Sequence, residues 1–402
     1  MPPLPQHLNV ADLVDQVSKN DRELHAWAHL SHTAAAEAVR EGPLAGMCFG
    51  VKDVIDVAGM PTRCGSAASD PREADTDATC VNLLRHAGAI PIGKTVTAEY
   101  AFRAPGPTRN PRRLDHTPGG SSSGSAAAVA AGMVPFALGT QTGGSIIRPA
   151  AYCGVVGFKP SFGAVARAGL AFTCESLDVI GWTADSVGTA SAVADVLLPA
   201  GTEAAGASRR SSVVLLPHAA DHPLEAQALE TLEHAADRLR ELGVNVQTAA
   251  PWAHAGELAR THELVMYYEI ARSLRPVADR HGSALGQEVL DAIKTGLTIP
   301  GTDYILARRA QERLRHDWSS LIGAADFVLT PSAPGFAPAG LSNTGSSAFN
   351  KNWSLLGWPC LHLPTRLDAR GLPLGVQLVA PFERDHALLA AAGQWWPALR
   401  EN

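Results

Sequence analysis

From residue 119 to residue 154 the chain reads GGSSSGSAAAVAAGMVPFALGTQTGGSIIRPAAYCG, and few folds can accommodate such a text. Two glycine-flanked serines, Ser121 and Ser145, lie 24 residues apart. Between them Ala126 to Ala131 reads as a helix of small side chains, so whatever packs on it must approach to backbone distance. Glycine before serine removes Cβ clashes and permits backbone shapes that aim successive N–H groups into one concavity. Such a concavity can hold a phosphate or the oxyanion of an acyl-transfer intermediate. A lone Gly-Gly-Ser reads equally as a tight turn; two of them bracketing a buried helix weigh against turns alone.

The surrounding text supplies the frame. Asn9 is placed to cap a first helix with an apolar stripe at Val10, Leu13, Val14 and Val17. Residues 44 to 57 are strand-like, and 78 to 94 read as a helix stopped at Gly88 before a buried strand over Ala89 to Ile92. Residues 103 to 125, with four prolines and four glycines, predict irregular structure, and GTQTGGS at 139 to 145 a glycine-rich turn. Strands are expected near 213–216, 244–246, 326–330, 360–364 and 374–379. Helices are expected near 225–242, 255–275, 282–295 and 302–321, the last capped by Thr302. Strands alternating with helices predict an α/β fold, an α/β/α layered arrangement around one large sheet. The 402 residues would allow two or three units, but no linker, repeat or low-complexity tract divides them. One domain over 1–402 is therefore expected, with about 200–322 a helical excursion from it.

Composition excludes several classes. Hydrophobic residues at 46% and charged residues at 18% describe a globular chain, not a disordered one. A net charge of −6 argues against a nucleic-acid partner, which would select a basic excess. The basic clusters 109–113 and 308–315 read as solvated loop and helix faces. The start, MPPLPQHLNVADLVDQV, lacks a basic segment followed by an apolar one, so no signal peptide is expected. The longest small-apolar stretch, 126–138, is too short to span a bilayer. Six scattered cysteines without a Cys-x-x-Cys pair read as buried, reduced thiols of a cytoplasmic protein.

The chemistry narrows by elimination. Neither serine site matches Gly-x4-Gly-Lys-Ser/Thr, and no Gly-x-Gly-x-x-Gly follows an early strand, so nucleotide binding has little support. The fifteen histidines form no metal-ligand cluster, and no metal or organic cofactor is expected. Gly120-Ser121-Ser122-Ser123-Gly124 satisfies the Gly-x-Ser-x-Gly elbow of α/β-hydrolases, but that elbow needs a strand directly before it, and LDHTPG is not one. A nucleophilic serine of another kind remains.

At this point the chain resembles the amidase signature family. The likeness runs through GPLAGMCFGVKDVIDVAGMPTRCGS (42–66), HAGAIPIGKTVTAEYAF (86–102), the serine segment, CGVVGFKPSFG (153–163), SLDVIG (176–181), TPSAPGFAP (330–338) and GLPLGVQLVA (371–380). It implies a Lys–Ser–Ser triad, with Lys52 as base, Ser121 as bridging serine and Ser145 as nucleophile. It also implies a cis peptide between Gly120 and Ser121, and an oxyanion hole from the N–H groups of Thr142, Gly143, Gly144 and Ser145. Ser122, Ser123 and Lys159 are expected to be structural. The physics agrees with the lysine's part. Serine needs a base to take its proton as it attacks, and a lysine serves only if burial lowers its pKa from ~10.4 toward ~7–8. Phe49, Val51, Val54 and Ile55 make apolar surroundings, and strand alternation turns Asp53 away.

Departures from the commoner family text bear on substrate. That text reads Gly-Thr-Asp-Thr-Gly-Gly-Ser-Ile-Arg; here residue 141 is Gln and the arginine falls at Arg148. This wording, with FNKNWSLLGWPC, looks most like the malonamidase branch of the family, whose arginine at that position binds a free carboxylate. A guanidinium clamps a carboxylate through two parallel charge-assisted hydrogen bonds, which suits a short half-amide such as malonamate. The competing reading has Arg148 pair with an internal carboxylate to brace the loop. The resemblance therefore implies an amidase that cleaves a small linear carboxamide through an acyl-serine, as a homodimer. Its alternatives are a neutral or aryl amide and ester hydrolase, an amidotransferase A subunit delivering ammonia to aminoacyl-tRNA with partner subunits, and a silent binding protein. Pocket residues are expected from about 98–107, 164–178 and the carboxy-terminal third.

Overall fold

The computed structural model describes residues 9–34, 41–70, 72–200, 211–218, 222–250 and 252–400. The first eight residues of the amino-terminal text, and 201–210 at the start of the expected excursion, lie outside them. Eleven strands form one sheet among the described residues: β1 (Trp27–Leu30), β2 (Cys48–Lys52), β3 (Ile90–Thr95), β4 (Phe136–Gln141), β5 (Val156–Lys159), β6 (Val179–Ala184), β7 (Ser212–Leu215), β8 (Asn245–Thr248), β9 (Phe327–Pro331), β10 (Cys360–Leu367) and β11 (Pro373–Val379). Their order is β1-β3-β2-β4-β6-β5-β10-β11-β9-β7-β8. The sheet is mixed: β3, β2 and β4 run parallel, as do β9, β7 and β8, while the pairs between these blocks are antiparallel.

Both faces of the central strands are covered, and alternation sorts their side chains into two cores. In β4, Phe136 and Leu138 join one cluster and Ala137 the other. In β2, Phe49 and Val51 join the first and Cys48 the second. Phe49 and Phe136 stand in register and stack with ring centroids 5.0 Å apart, locking β2 against β4. Helices Thr79–His86, Val187–Leu197, Ala226–Glu241 and Asp385–Leu399 cover one face; Ser123–Ala130 and Ile147–Cys153 pack together on the other. The two fully buried tryptophans Trp182 and Trp358 anchor the larger core, each such side chain contributing about 1.5–3 kcal/mol of burial energy. This is the expected α/β fold. All six cysteines are buried and unpaired. Among the described residues no helix is long and apolar enough to cross a membrane.

The small-residue helix fulfils its part through Gly124, where a Cβ would collide with Ala26 O and Val96 N. Other expectations need correction. The text 139–145 is not all turn: β4 runs through Gly139 to Gln141, and the glycine there answers a close approach, since a Cβ would stand 2.9 Å from Ser122 Oγ. Segment 200–322 is not wholly an excursion from the sheet, because β7 and β8 extend its edge. Its long helix continues through Pro276 to His281, which delays the next helix to Gln287–Leu297. Thr302 caps nothing: Pro300 holds the cap position of helix Gly301–Arg315, and Thr302 lies inside it. That helix ends at Arg315 because Asp317 starts another, Trp318–Ile322, by accepting the N–H of Ser320 at 3.3 Å. Nor is 308–315 wholly solvated: Arg315 is buried, its Nε donating to Leu356 O at 3.3 Å and its guanidinium 4.5 Å from the Phe162 ring centroid.

Candidate active site

Parallel neighbours end side by side, so β2 and β4 deliver Lys52 and the Thr140–Gln141 end of β4 to the same region. The irregular run 103–122 then brings Ser121 to them, entering helix Ser123–Ala130 without a preceding strand, which removes the hydrolase-elbow reading. The peptide Gly120–Ser121 is cis. Lys52 Nζ lies 2.8 Å from Ser121 Oγ, 2.7 Å from Thr140 Oγ1 and 3.4 Å from Thr140 O. Ser145 is joined to the same segment by the Ser122 N–H, which donates to its carbonyl at 3.2 Å. The structure thus brings Lys52, Ser121 and Ser145 into one site.

Burial sets the electrostatics. Lys52 is fully buried and, among the described residues, has no carboxylate within ion-pairing distance. Burial pulls its pKa down to about 7, against the opposing field of Asp178. An ordinary lysine would be neutral in only about one molecule in a few thousand at pH 7; here neutral and charged forms are comparable. Asp53, the next residue, is engaged elsewhere: it pairs with buried Lys94 at 3.2 Å and accepts the Arg63 N–H at 3.2 Å. Ser122 and Ser123 bind backbone, Ser122 Oγ donating to Thr140 O at 3.2 Å and Ser123 Oγ to Val96 O at 3.4 Å. Lys159 donates to Pro160 O at 2.9 Å and takes no part in the site.

The loop after β4 has its carbonyls tied down. Thr142 O accepts from His262 Nε2 at 2.9 Å, Gly143 O from Ser354 Oγ at 2.8 Å, and Gly144 O from the Arg148 N–H at 2.9 Å. Gln141 reaches under the loop, its Oε1 accepting the N–H groups of Ile146 (2.9 Å) and Ile147 (3.0 Å) and its Nε2 donating to Ser354 Oγ at 3.0 Å. Thr142 Oγ1 donates to buried Asp178 at 2.6 Å, whose second oxygen accepts from the N–H groups of Thr173 and Cys174, both at 2.9 Å. Burial raises the Asp178 pKa and these donors oppose the rise. The N–H groups of Gly143, Gly144 and Ser145 have no protein partner among the described residues. Carbonyls bound behind and amides unengaged in front make a ready receptor for negative charge.

A cavity of about 400 Å³ opens over Ser145 and the loop. Residues 101–103, Thr173, Cys174 and 342–348 line it, from the three expected regions. His222, His262, Glu263 and Met266 also line it from within 200–322, a contribution the sequence did not signal. Arg148 borders the cavity, but its guanidinium is turned inward: Nε (3.1 Å) and Nη2 (2.6 Å) donate to Gly120 O, and Nη1 donates to Gly345 O at 2.6 Å. These partners are two backbone carbonyls, where the bracing reading expected an internal carboxylate. Burial lowers its pKa to about 10, which leaves it charged.

Thr140, Asp178, His262 and Ser354 went unassigned in the sequence. Thr140 lies in GTQT, Asp178 in SLDVIG and Ser354 in FNKNWSLLGWPC, each inside a family motif that does not announce its role; His262 has no local signal.

Comparison with known proteins places the chain in a family. Residues 11–389 match the sequence profile of the family described as Amidase. The chain is 30% identical to the A subunit of the glutamyl-tRNA(Gln) amidotransferase of Prochlorococcus marinus, over 95% of this chain and 92% of that protein. A crystal structure of an amidase superposes with a TM-score of 0.86 at 29% identity, covering 98% of this chain and 96% of the other. The native peptide amidase of Stenotrophomonas maltophilia superposes with a TM-score of 0.79 at 29% identity, covering 96% and 94%. The curated relatives carry amidotransferase names, so the malonamidase wording was narrower than the likeness warrants. By profile, sequence and fold, the chain belongs to the Amidase family, the amidase signature enzymes that act on amide C–N bonds.

Proposed function

We propose that this chain hydrolyses a small linear carboxamide through an acyl-Ser145 intermediate, with Lys52 as base and Ser121 as proton relay. The observation that carries the reading is a fully buried lysine with no carboxylate partner among the described residues, 2.8 Å from the hydroxyl of Ser121. Neutral Lys52 accepts the Ser121 proton while Ser121 accepts that of Ser145, and Ser145 Oγ forms a bond to the amide carbon. Charge gathers on the former carbonyl oxygen, where the N–H groups of the Thr142–Ser145 loop receive it. Collapse expels the amine, which takes the proton back from Lys52 through Ser121. Water then attacks the acyl carbon while its proton passes through Ser121 to Lys52, and the ester bond breaks as that proton returns to Ser145 Oγ, releasing the carboxylic acid.

The acyl group is read from the cavity. Arg148 offers little to a substrate carboxylate, since three of its N–H groups already serve Gly120 and Gly345, but Arg103 and Lys351 also line the cavity. Nothing in Arg148 therefore favours a malonamate-like half-amide over a neutral or aryl amide. A second reading, an amidotransferase A subunit working with partner subunits, is favoured by the names of relatives such as that of Prochlorococcus marinus, matched over 92% of its own length. Ammonia release from benzamide and propionamide by the isolated chain, with Ser145→Ala as blank, separates the two. Turnover by the chain alone supports the hydrolase. Activity that appears only with glutamyl-tRNA and added partner subunits supports the transferase.

A further inference from the structure

We infer that His262 is a positioning residue that fixes the oxyanion loop, reaching it from the helix Ala255–His281. The inference rests on the acyl-Ser145 reading and concerns how its oxyanion site is held.

The peptide joining Thr142 to Gly143 is a rigid plane, with its C=O and its N–H pointing in opposite directions. Anchoring one therefore aims the other. His262 Nε2 lies 2.9 Å from Thr142 O, which can only accept, so the ring must carry its proton on Nε2. Nδ1 is then an acceptor, and it is buried with no partner among the described residues. Protonating Nδ1 would bury an unpaired charge, and burial holds the His262 pKa down to about 4. The neutral ring keeps its Nε2–H donor throughout the range in which Lys52 is active.

The neighbouring pins come from other elements: Ser354 on Gly143 O and the Arg148 N–H on Gly144 O. His262 reaches the loop from a helix 120 residues away in sequence. Losing it frees the Thr142–Gly143 plane to rotate and spoils the aim of the Gly143 N–H, without removing any group that touches the reacting atoms.

Two substitutions of similar polarity separate this from a packing role. Glutamine can place its Nε2–H where the imidazole Nε2–H stands; asparagine is one methylene shorter and cannot reach Thr142 O. Hydrolysis of p-nitrophenyl acetate and benzamide would be followed for wild type, His262→Gln, His262→Asn and Ser145→Ala, with thermal unfolding of each. His262→Asn is expected to lose about 10- to 100-fold in kcat, with KM changed by less than about threefold. His262→Gln is expected to recover to within about fivefold of wild type, and the pH midpoint set by Lys52 stays where it was. Equal kcat in wild type and a folded His262→Asn would overturn the inference, as would equal losses in the Gln and Asn variants. Wild type no faster than Ser145→Ala on both substrates would instead remove the acyl-Ser145 reading, and this inference with it.

Discussion

Asp53 and Lys94 pair at 3.2 Å in full burial, so the carboxylate next in sequence to Lys52 is engaged with a different lysine. The Lys94 ammonium also donates to Pro61 O at 2.9 Å and Thr62 Oγ1 at 2.8 Å, so the pair is embedded in a hydrogen-bonded pocket. Burial raises the Asp53 pKa and lowers that of Lys94, while each partner's charge opposes the other's shift. Removing one partner leaves a buried charge alone. Lys94→Met is expected to destabilise the fold by about 3–5 kcal/mol, and Asp53→Leu with Lys94→Met to restore most of it. Urea denaturation of the singles and the double tests this. Additive losses would show that the two side chains do not act as a pair.

The pKa of Lys52, about 7, sets the pH dependence of catalysis. Only the neutral amine accepts the proton, so kcat/KM should rise tenfold per pH unit below the midpoint and level above it. Lys52→Ala should fall by about 10³-fold or more and lose that limb. Rates between pH 5 and 9 on an uncharged substrate check both. A flat profile in wild type would mean that another group is the base.

The same shift carries a stability signature. The unfolded lysine titrates at 10.5 and the folded one at about 7, so the folded state binds fewer protons between those values. The cost of burying Lys52 is therefore fully present below pH 7, shrinks as pH rises, and is gone above about 10.5. Lys52→Met should stabilise the protein most below pH 7, by a few kcal/mol in order of magnitude, with the gain fading at about 1.4 kcal/mol per pH unit above it. Melting temperatures of the two proteins from pH 6 to pH 9 read this directly; a gain that grows with pH would contradict it.

The legible part of the site was the part written in local text. Lys52, Ser121 and Ser145 each sit in a segment where glycine, serine or apolar neighbours leave few alternatives; Asp53 is engaged away from Lys52 as expected, but from the turn after β2 and in an ion pair with Lys94, not by strand alternation. What was not legible depends on partners distant in sequence. His262 stands on an ordinary amphipathic helix, and nothing in THELV says that its ring meets a loop 120 residues earlier. The chemistry of Arg148 suits a substrate carboxylate and an internal brace alike; the carbonyls of Gly120 and Gly345 that engage it are not visible in the text. Element ends failed where a competing cap won, as Pro300 did over Thr302.

Arg148 gives a prediction that separates bracing from binding. Its donors tie Gly120, which precedes the relay serine, to Gly345 on the cavity rim. Arg148→Met would leave the buried Gly120 carbonyl unpaired, at a cost of about 1–3 kcal/mol, and release the partly buried Gly345 carbonyl. Stability should drop, and kcat/KM should fall alike for an amide bearing a free carboxylate and for its methyl ester. A loss confined to the carboxylate member would make Arg148 a substrate clamp.

The central claim is that Ser145 becomes acylated because Lys52 draws its proton through Ser121. Treatment with phenylmethanesulfonyl fluoride at pH 8, followed by peptide mapping by mass spectrometry, tests it most directly. A single adduct on Ser145 is predicted, absent in Ser145→Ala and formed at least about 10²-fold more slowly in Lys52→Met. An adduct on Ser121 or another residue, or labelling of Ser145 at the wild-type rate in Lys52→Met, would contradict the account.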